Sequence, residues 1–388
     1  MISEIALTLT LLVAAGLVLK SFSRLQSLSL GYEPHSIFTA RFELPWQKYN
    51  DRDKIDTFSR ALLDKVRALP GVQNAAVSSN GPLMGGWQTG FWREEKPRPQ
   101  PSDMLNSDLE VVGGDYFSTL KVPLLHGRTF NDRDTKDSQR VIIIDQAMAE
   151  QYFPGEDPVG KRIGVDVGND DEGWVMSEIV GVVARMRFHA VDEMAPLPVI
   201  YCSLGQAQRT SLTLFLRSTM GSAALEHSIR DAIASIDPSL PVFDARRMMD
   251  RVQESWGSQR LLTFLFSVFA GLALVLATIG LYGLLAYTTL KRVREIGVRL
   301  ALGARPAQIR ILILSHGLQL FLIGSVIGVA AAIALSRLLQ SVLFDVNGLD
   351  LGIYFGVGAL LFAATFFASW IPARRASRVD PIVALRAE

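Results

Sequence analysis

The chain has 388 residues, of which 49% are hydrophobic and 20% charged. Residues 25–259 carry 25 Arg or Lys against 32 Asp or Glu, a net charge of −7, which excludes nucleic acid as the partner of this segment. The single cysteine, Cys202, excludes an intrachain disulfide, so packing alone must hold the fold, and we expect the thiol to be buried.

Four apolar runs are long enough, or nearly so, to cross about 30 Å of hydrocarbon, which takes about 20 helical residues. They are residues 2–19, 261–287, 311–335 and 353–371, and the last three contain no Asp, Glu, Lys or Arg. A soluble core helix keeps a solvated face, so we predict four transmembrane helices. A cleaved signal peptide is the alternative for the first run, but it lacks a basic n-region and a small-residue cleavage site.

The segment between the first two runs, residues 21–259, reads as alternating strand and helix. Its elements in chain order are strand 37–44, helix 54–69, strand 72–78, strand 141–144 with a helix through Tyr152, strand 179–183, strand 212–217 and helix 223–236. We predict a large α+β extracytoplasmic domain of two subdomains, with the Gly- and Pro-rich stretch 81–108 as a long surface loop.

Helical spacing of apolar residues continues past the first run at Phe22, Leu25 and Leu28, and precedes the second run at Val252 and Trp256. We predict two stalk helices continuous with the membrane helices, which would transmit motion because a helix is stiff along its axis. The alternative is a pair of interfacial segments with Trp256 as an aromatic anchor.

Basic residues set the predicted orientation. Residues 291–310 (KRVREIGVRLALGARPAQIR) hold six Arg or Lys against one acid, and the tail 372–388 is also basic, whereas residues 336–352 carry one base and two acids. Short basic loops stay in the cytoplasm, so we place 288–310 and both termini inside, and the large domain outside. Lys20 and Arg24, on the outer flank of the first run, are the exception.

Motifs for catalysis or cofactor binding are weak. Residues 155–161 (GEDPVGK) have the spacing of a phosphate-binding loop, but Arg162 replaces the magnesium-binding Ser or Thr and Pro158 removes a backbone donor, so we predict a turn. The five histidines show no metal-ligand spacing, and we predict no metal, no cofactor and no catalytic residue. His316 and Gln319 suggest a hydrogen bond across helices, and Gly324 with Gly328 predicts close helix packing.

Two strings carry a resemblance to a known family. Residues 294–304 (REIGVRLALGA) and the tail 372–386 (PARRASRVDPIVALR) resemble the FtsX/MacB-type permeases of ABC transporters. The exterior segments 112–128 (VGGDYFSTLKVPLLHGR) and 153–162 (FPGEDPVGKR) resemble that family's periplasmic core domain.

The resemblance implies a non-catalytic permease subunit in the inner membrane, which exports a substrate by transmitting the motion of a separate cytoplasmic ABC ATPase to the exterior domain. It divides the chain into helix 1–20, a MacB-like domain 21–259 and an FtsX-like domain 260–388. It makes the basic loop an ATPase-coupling segment, with charged contacts from Arg294, Glu295 and Arg299. The apolar contacts would come from Ile296, Val298, Leu300 and Leu302. The complete set is Arg294, Glu295, Ile296, Gly297, Val298, Arg299, Leu300, Leu302 and Gly303.

Other expected partners are a second permease half or another copy of this chain, a periplasmic adaptor and membrane lipid. The start close to a membrane span resembles the second half of a duplicated permease. A membrane-anchored sensor or adaptor, or a regulator of a cell-envelope enzyme, is the alternative function.

Overall fold

The computed structural model describes residues 2–167, 173–191, 197–302, 305–338 and 346–377. Ten α-helices lie among them: α1 (Ile2–Gln26), α2 (Arg52–Arg67), α3 (Tyr116–Leu120), α4 (Gln146–Tyr152), α5 (Ser222–Ala234), α6 (Met248–Ser255), α7 (Gly257–Lys291), α8 (Val293–Ala301), α9 (Pro306–Leu338) and α10 (Leu351–Ala376). The strands of the same residues are β1 (Ile37–Glu43), β2 (Val72–Ser78), β3 (Trp87–Arg93), β4 (Leu105–Gly114), β5 (Leu124–Gly127), β6 (Val141–Asp145), β7 (Arg162–Asp166), β8 (Trp174–Val183), β9 (Val199–Ser203), β10 (Ser211–Ser218) and β11 (Val242–Arg247).

These elements form two compact units. One is Leu28–Trp256, and the other combines Met1–Ser27 with Gly257–Glu388. In the second unit the described residues include four helices long and apolar enough to cross a membrane, namely α1, α7, α9 and α10. The four predicted spans are therefore confirmed.

The helix α1 is the central element of the helical unit. It packs against α7, α9 and α10, and 56% of its most apolar window is buried, compared with 17–22% for the other three helices. With 35 residues, α7 is about 50 Å long, well beyond the hydrocarbon thickness. The apolar surface left on α7, α9 and α10 requires lipid or protein around it.

One half of the unit Leu28–Trp256 is an antiparallel sheet with the strand order β11-β1-β10-β2. The helix α2 is capped by Asp51, whose side chain accepts a hydrogen bond from the Asp53 N–H at 3.1 Å. The apolar positions of α2 that the sequence indicates are all buried in the core with this sheet: Ile55, Phe58, Leu62, Leu63 and Val66. The predicted amphipathic helix is confirmed.

The second half is a ring of strands that β4 closes. From β4 the pairing runs through β3, β7, β8, β6 and β9, and β9 pairs in parallel with β4 again. The last residues of β4, Val112–Gly114, pair instead with β2 of the first half. One ten-residue strand thus joins an open sheet to a closed one, which gives the predicted α+β domain its two subdomains.

The prediction of a surface loop over residues 81–108 is wrong, because these residues include β3 and the start of β4. Phe91 and Asp108 within it are fully buried. One of the glycines that suggested a loop is structural: a Cβ at Gly90 of β3 would lie 2.9 Å from the Trp174 ring. Tertiary packing of large aromatic rings over strand glycines overrides the local signal.

A buried carboxyl group lies on β4. Glu110 Oε1 accepts hydrogen bonds from the hydroxyls of Ser78 and Ser79 and from the Asn80 N–H at 2.7 Å, whereas Oε2 has no partner in the described chain. Burial raises the pKa of Glu110 to about 7, although these hydrogen bonds oppose the shift.

Two smaller predictions on this unit are confirmed. Residues 155–161 form a turn as predicted, with left-handed φ angles of +74° at Gly155 and +84° at Gly160, and Lys161 pairs with Glu156. Cys202 is buried as predicted.

The predicted stalk helices differ from each other. The first membrane helix runs without a break to Gln26, but α6 ends at Ser255 and a separate helix begins at Gly257, so the predicted continuity of the second stalk is wrong. The helix α6 is instead tied to the α+β unit by Arg251, whose guanidinium lies 2.6 Å from the Asp244 carboxylate and 3.2 Å from the Thr39 hydroxyl.

Candidate coupling site

The basic segment forms a helix between two long ones. The apolar helix α7 ends at Lys291, the short helix α8 follows after one residue, and α9 starts at Pro306. Proline suits the first helical position, because its φ angle is already helical and its missing N–H would have no partner there. The segment is therefore an elbow that is helical over most of its described length, rather than an unstructured loop.

One side of α8 is anchored to the helical unit through Ile296. This side chain is 4% exposed and packs with Ile309 and Ile313 of α9 and Ala373 of α10. Burying one such side chain contributes about 1.5–3 kcal/mol. The resemblance assigned Ile296 to the apolar contact with a partner, whereas here it faces the chain's own helices.

The other side of α8 is open to solvent. Glu295 and Arg299 form an i,i+4 ion pair at 2.6 Å, and both are exposed. Val298 is 41% exposed and Leu302, just beyond the helix end, is 83% exposed. Charged and apolar side chains thus form a small mixed surface, of the kind that suits a protein contact.

The remaining residues of the predicted coupling set can be placed only in part. Arg294, Gly297 and Leu300 belong to α8, and Gly303 lies outside the described residues.

A second predicted site concerns helix packing. A Cβ at Gly324 would lie 2.7 Å from Ile5, and one at Gly328 would lie 2.9 Å from the Ala6 carbonyl oxygen. Both glycines therefore lie directly against α1, with no room for a side chain.

The predicted interhelical hydrogen bond of His316 is wrong, since this exposed side chain makes no hydrogen bond within the described residues. The anchoring residues Ile309, Ile313 and Ala373 were missed by the sequence prediction. The i,i+4 spacing of Ile309 and Ile313 could have identified these two residues. The rest of α9 is apolar on all sides, however, so this spacing does not stand out in the sequence.

These features define a polytopic membrane protein with an extended α+β domain inserted after its first span, the architecture of a transporter permease. The profile of the MacB-like periplasmic core domain matches residues 5–232, and that of the FtsX-like permease C-terminal domain matches residues 267–381. The chain belongs to the MacB-like family of ABC transporter permeases.

Curated relatives are similar over about seven tenths of the chain. The probable syringafactin export ATP-binding/permease protein SyfD of Pseudomonas syringae pv. tomato is 28% identical over 72% of this chain and 42% of its own length. The macrolide export ATP-binding/permease protein MacB of Wolinella succinogenes is 25% identical over 73% of this chain and 44% of its own length. The chain thus spans less than half the length of these relatives.

Solved structures give weaker matches. The periplasmic region of MacB from Actinobacillus actinomycetemcomitans matches 55% of this chain and 90% of its own, with 15% identity and a TM-score of 0.35. The extracellular domain of the ABC-type transporter YknZ matches 53% of this chain and 100% of its own, also with 15% identity and a TM-score of 0.35.

Proposed function

We propose that this chain is the permease subunit of an ABC-type exporter, which transmits motion from a cytoplasmic ATPase to its α+β domain. The observation that supports this most is the construction of α8. One side is fixed to α9 and α10 through Ile296, and the other presents Glu295, Val298 and Arg299. A force applied to the exposed side would therefore reach α9 and α10 through the packing of Ile296.

The proposal includes an orientation and a division of the chain. The elbow 288–310 and both termini lie in the cytoplasm, and the domain 21–259 lies outside the inner membrane, as the positive-inside rule requires. ATP hydrolysis is assigned to a partner chain. The relatives' names join ATP-binding to permease, and the nucleotide-binding function would here be supplied separately.

A second permease, either another copy or a homologous half, would cover the apolar surface of α7, α9 and α10. A periplasmic adaptor and an exported substrate complete the proposed system.

Copurification tests the coupling surface. The tagged chain is purified from membranes of its native host, and the associated vanadate-sensitive ATPase activity is measured for the wild type and for the double variant Glu295→Ala, Arg299→Ala. The matched control is Glu226→Ala, Arg230→Ala, another exposed i,i+4 ion pair, on α5. We expect the first pair of changes to remove most of the associated ATPase and the control to retain it.

Undiminished ATPase in the α8 variant would contradict the coupling role. No associated ATPase with the wild type would favour a sensor or adaptor instead.

A further inference from the structure

A small cavity lies between the end of α7, the elbow helix α8 and the first turns of α9. Its open volume is about 60 Å³. One water needs about 10–15 Å³ on this scale, so there is room for about four water-sized atoms, the number of oxygens in a phosphate group.

The lining of this cavity carries an excess of positive charge and of hydrogen-bond donors. Arg292 and Arg299 contribute two guanidinium groups, and the one carboxylate, Glu295, is paired with Arg299 at 2.6 Å. Within the described residues, the side chains of Arg292, Thr289 and His316 make no hydrogen bond or ion pair. Three side chains that can donate hydrogen bonds therefore line this cavity without a partner among the described residues.

The same cavity also has an apolar wall, to which Leu285, Leu312 and Ile313 contribute. A guanidinium group binds phosphate oxygens with charge-assisted, often bidentate hydrogen bonds, and threonine adds a hydroxyl donor. Basic pockets between membrane helices are suited to lipid headgroups, because the phosphate meets the cations while glycerol and acyl groups meet the hydrocarbon wall.

We propose that this cavity is a binding site for a phosphate group, donated by an anionic phospholipid headgroup or by free phosphate. Arg292 and Thr289 hold the phosphate oxygens, His316 donates a further hydrogen bond, and the apolar wall receives the rest of a lipid. The occupied site would tie α7 to α9 behind α8. It requires no ATPase, so its test is separate from that of the coupling proposal.

The test measures thermal stabilisation of the full-length chain in detergent, without nucleotide or partner. Dioctanoyl phosphatidylglycerol, dioctanoyl phosphatidylcholine, sodium phosphate and sodium chloride of equal ionic strength are titrated separately. We expect stabilisation by phosphatidylglycerol and not by chloride. A similar response to phosphate alone assigns the site to the free anion, and no response to it assigns the site to the lipid.

The variants Arg292→Gln and Thr289→Val should raise the half-saturating concentration of phosphatidylglycerol, by about tenfold for Arg292→Gln, because this change removes a charge-assisted hydrogen bond to the phosphate. The matched control Arg305→Gln removes the same charge from an exposed position of the elbow that does not line the cavity. Equal weakening by Arg305→Gln, equal stabilisation by phosphatidylcholine, or no response to either phosphatidylglycerol or phosphate would overturn the proposal.

Discussion

The ammonium group of Lys20 in α1 pairs with the carboxylate of Asp350, which also caps α10 by accepting hydrogen bonds from the N–H groups of Gly352 and Ile353 at 3.1 and 3.3 Å. The ion pair holds the pKa of Asp350 below its ordinary value. It also accounts for Lys20, one of the two exceptions in the charge pattern, because an acid at the same end of the helical unit balances its charge. The end of α1 and the start of α10 are thereby fixed together.

Two substitutions of Asp350 separate its two contacts. Asp350→Asn keeps an oxygen that can cap α10 but loses the ion pair, whereas Asp350→Ala loses both. We expect melting temperatures of the purified full-length chain to decrease in the order wild type, Asn variant, Ala variant. Because the carboxylate must be ionised, the difference between wild type and the Asn variant should shrink as pH falls through the lowered pKa of Asp350. Equal stability of all three proteins would contradict both roles.

Gly328 should not tolerate even a methyl group. A Cβ there meets the backbone oxygen of Ala6, which cannot move independently of α1, so we expect Gly328→Ala to cost about 1–3 kcal/mol. Gly271→Ala in α7 is the matched control, because a Cβ at that position meets nothing within 4 Å, and alanine favours a helix over glycine. Denaturant titration of both variants in micelles measures the difference, and a stable Gly328→Ala protein would show that α1 and α9 pack differently.

Ile296 should control how firmly α8 is held. Truncation of a buried isoleucine to alanine costs about 2–5 kcal/mol, so Ile296→Ala should release α8 from α9 and α10. We expect faster backbone hydrogen exchange in residues 293–301 of this variant. The half-exposed Val298→Ala serves as the control and should leave exchange near the wild-type rate. Unchanged exchange in Ile296→Ala would mean that other contacts hold the helix.

Glu110 should make the α+β domain less stable at neutral pH than at acidic pH. Its folded pKa of about 7 lies above the ordinary value of 4.5, so the folded state binds the proton more tightly, and stability falls as pH rises from about 4.5 to 7. The shift corresponds to about 3 kcal/mol. Glu110→Gln should remove this component, whereas Glu150→Gln, on an exposed position of α4, should keep it. Tryptophan fluorescence of the full-length chain during urea unfolding at several pH values measures both; identical pH profiles for all three proteins would rule out the assignment.

The proposed orientation can be checked with one introduced thiol. With the buried Cys202 replaced by Ala, a cysteine at exposed Ala307 should resist a membrane-impermeant maleimide in whole cells with a permeable outer membrane. A cysteine at exposed Ala223, in the α+β domain, should react readily under the same conditions. The reverse labelling pattern would invert the topology.

Sequence patterns predicted the elements that depend on local periodicity. The periodicity of apolar residues alone was enough to predict the membrane spans, α2 and the strand Val72–Ser78. The strand β3 was missed because its stability comes from packing of Trp92 and Phe91 with residues far along the chain, for which glycine and proline counts are a poor guide. The burial of Ile296 was missed for a similar reason. The helix α8 has apolar residues on more than one face, and only the packing partners on α9 and α10 decide which face is buried.

The sequence by itself therefore determined the membrane class, the number of spans, the inserted α+β domain and the family, all of which depend on composition, period and local motifs. Only the tertiary structure decided that β4 closes one sheet and extends another, that Lys20 is balanced by Asp350, and that Ile296 anchors α8. These features join residues up to 330 positions apart along the chain. The free energy of such contacts depends on distances in the folded chain, which local pattern does not encode.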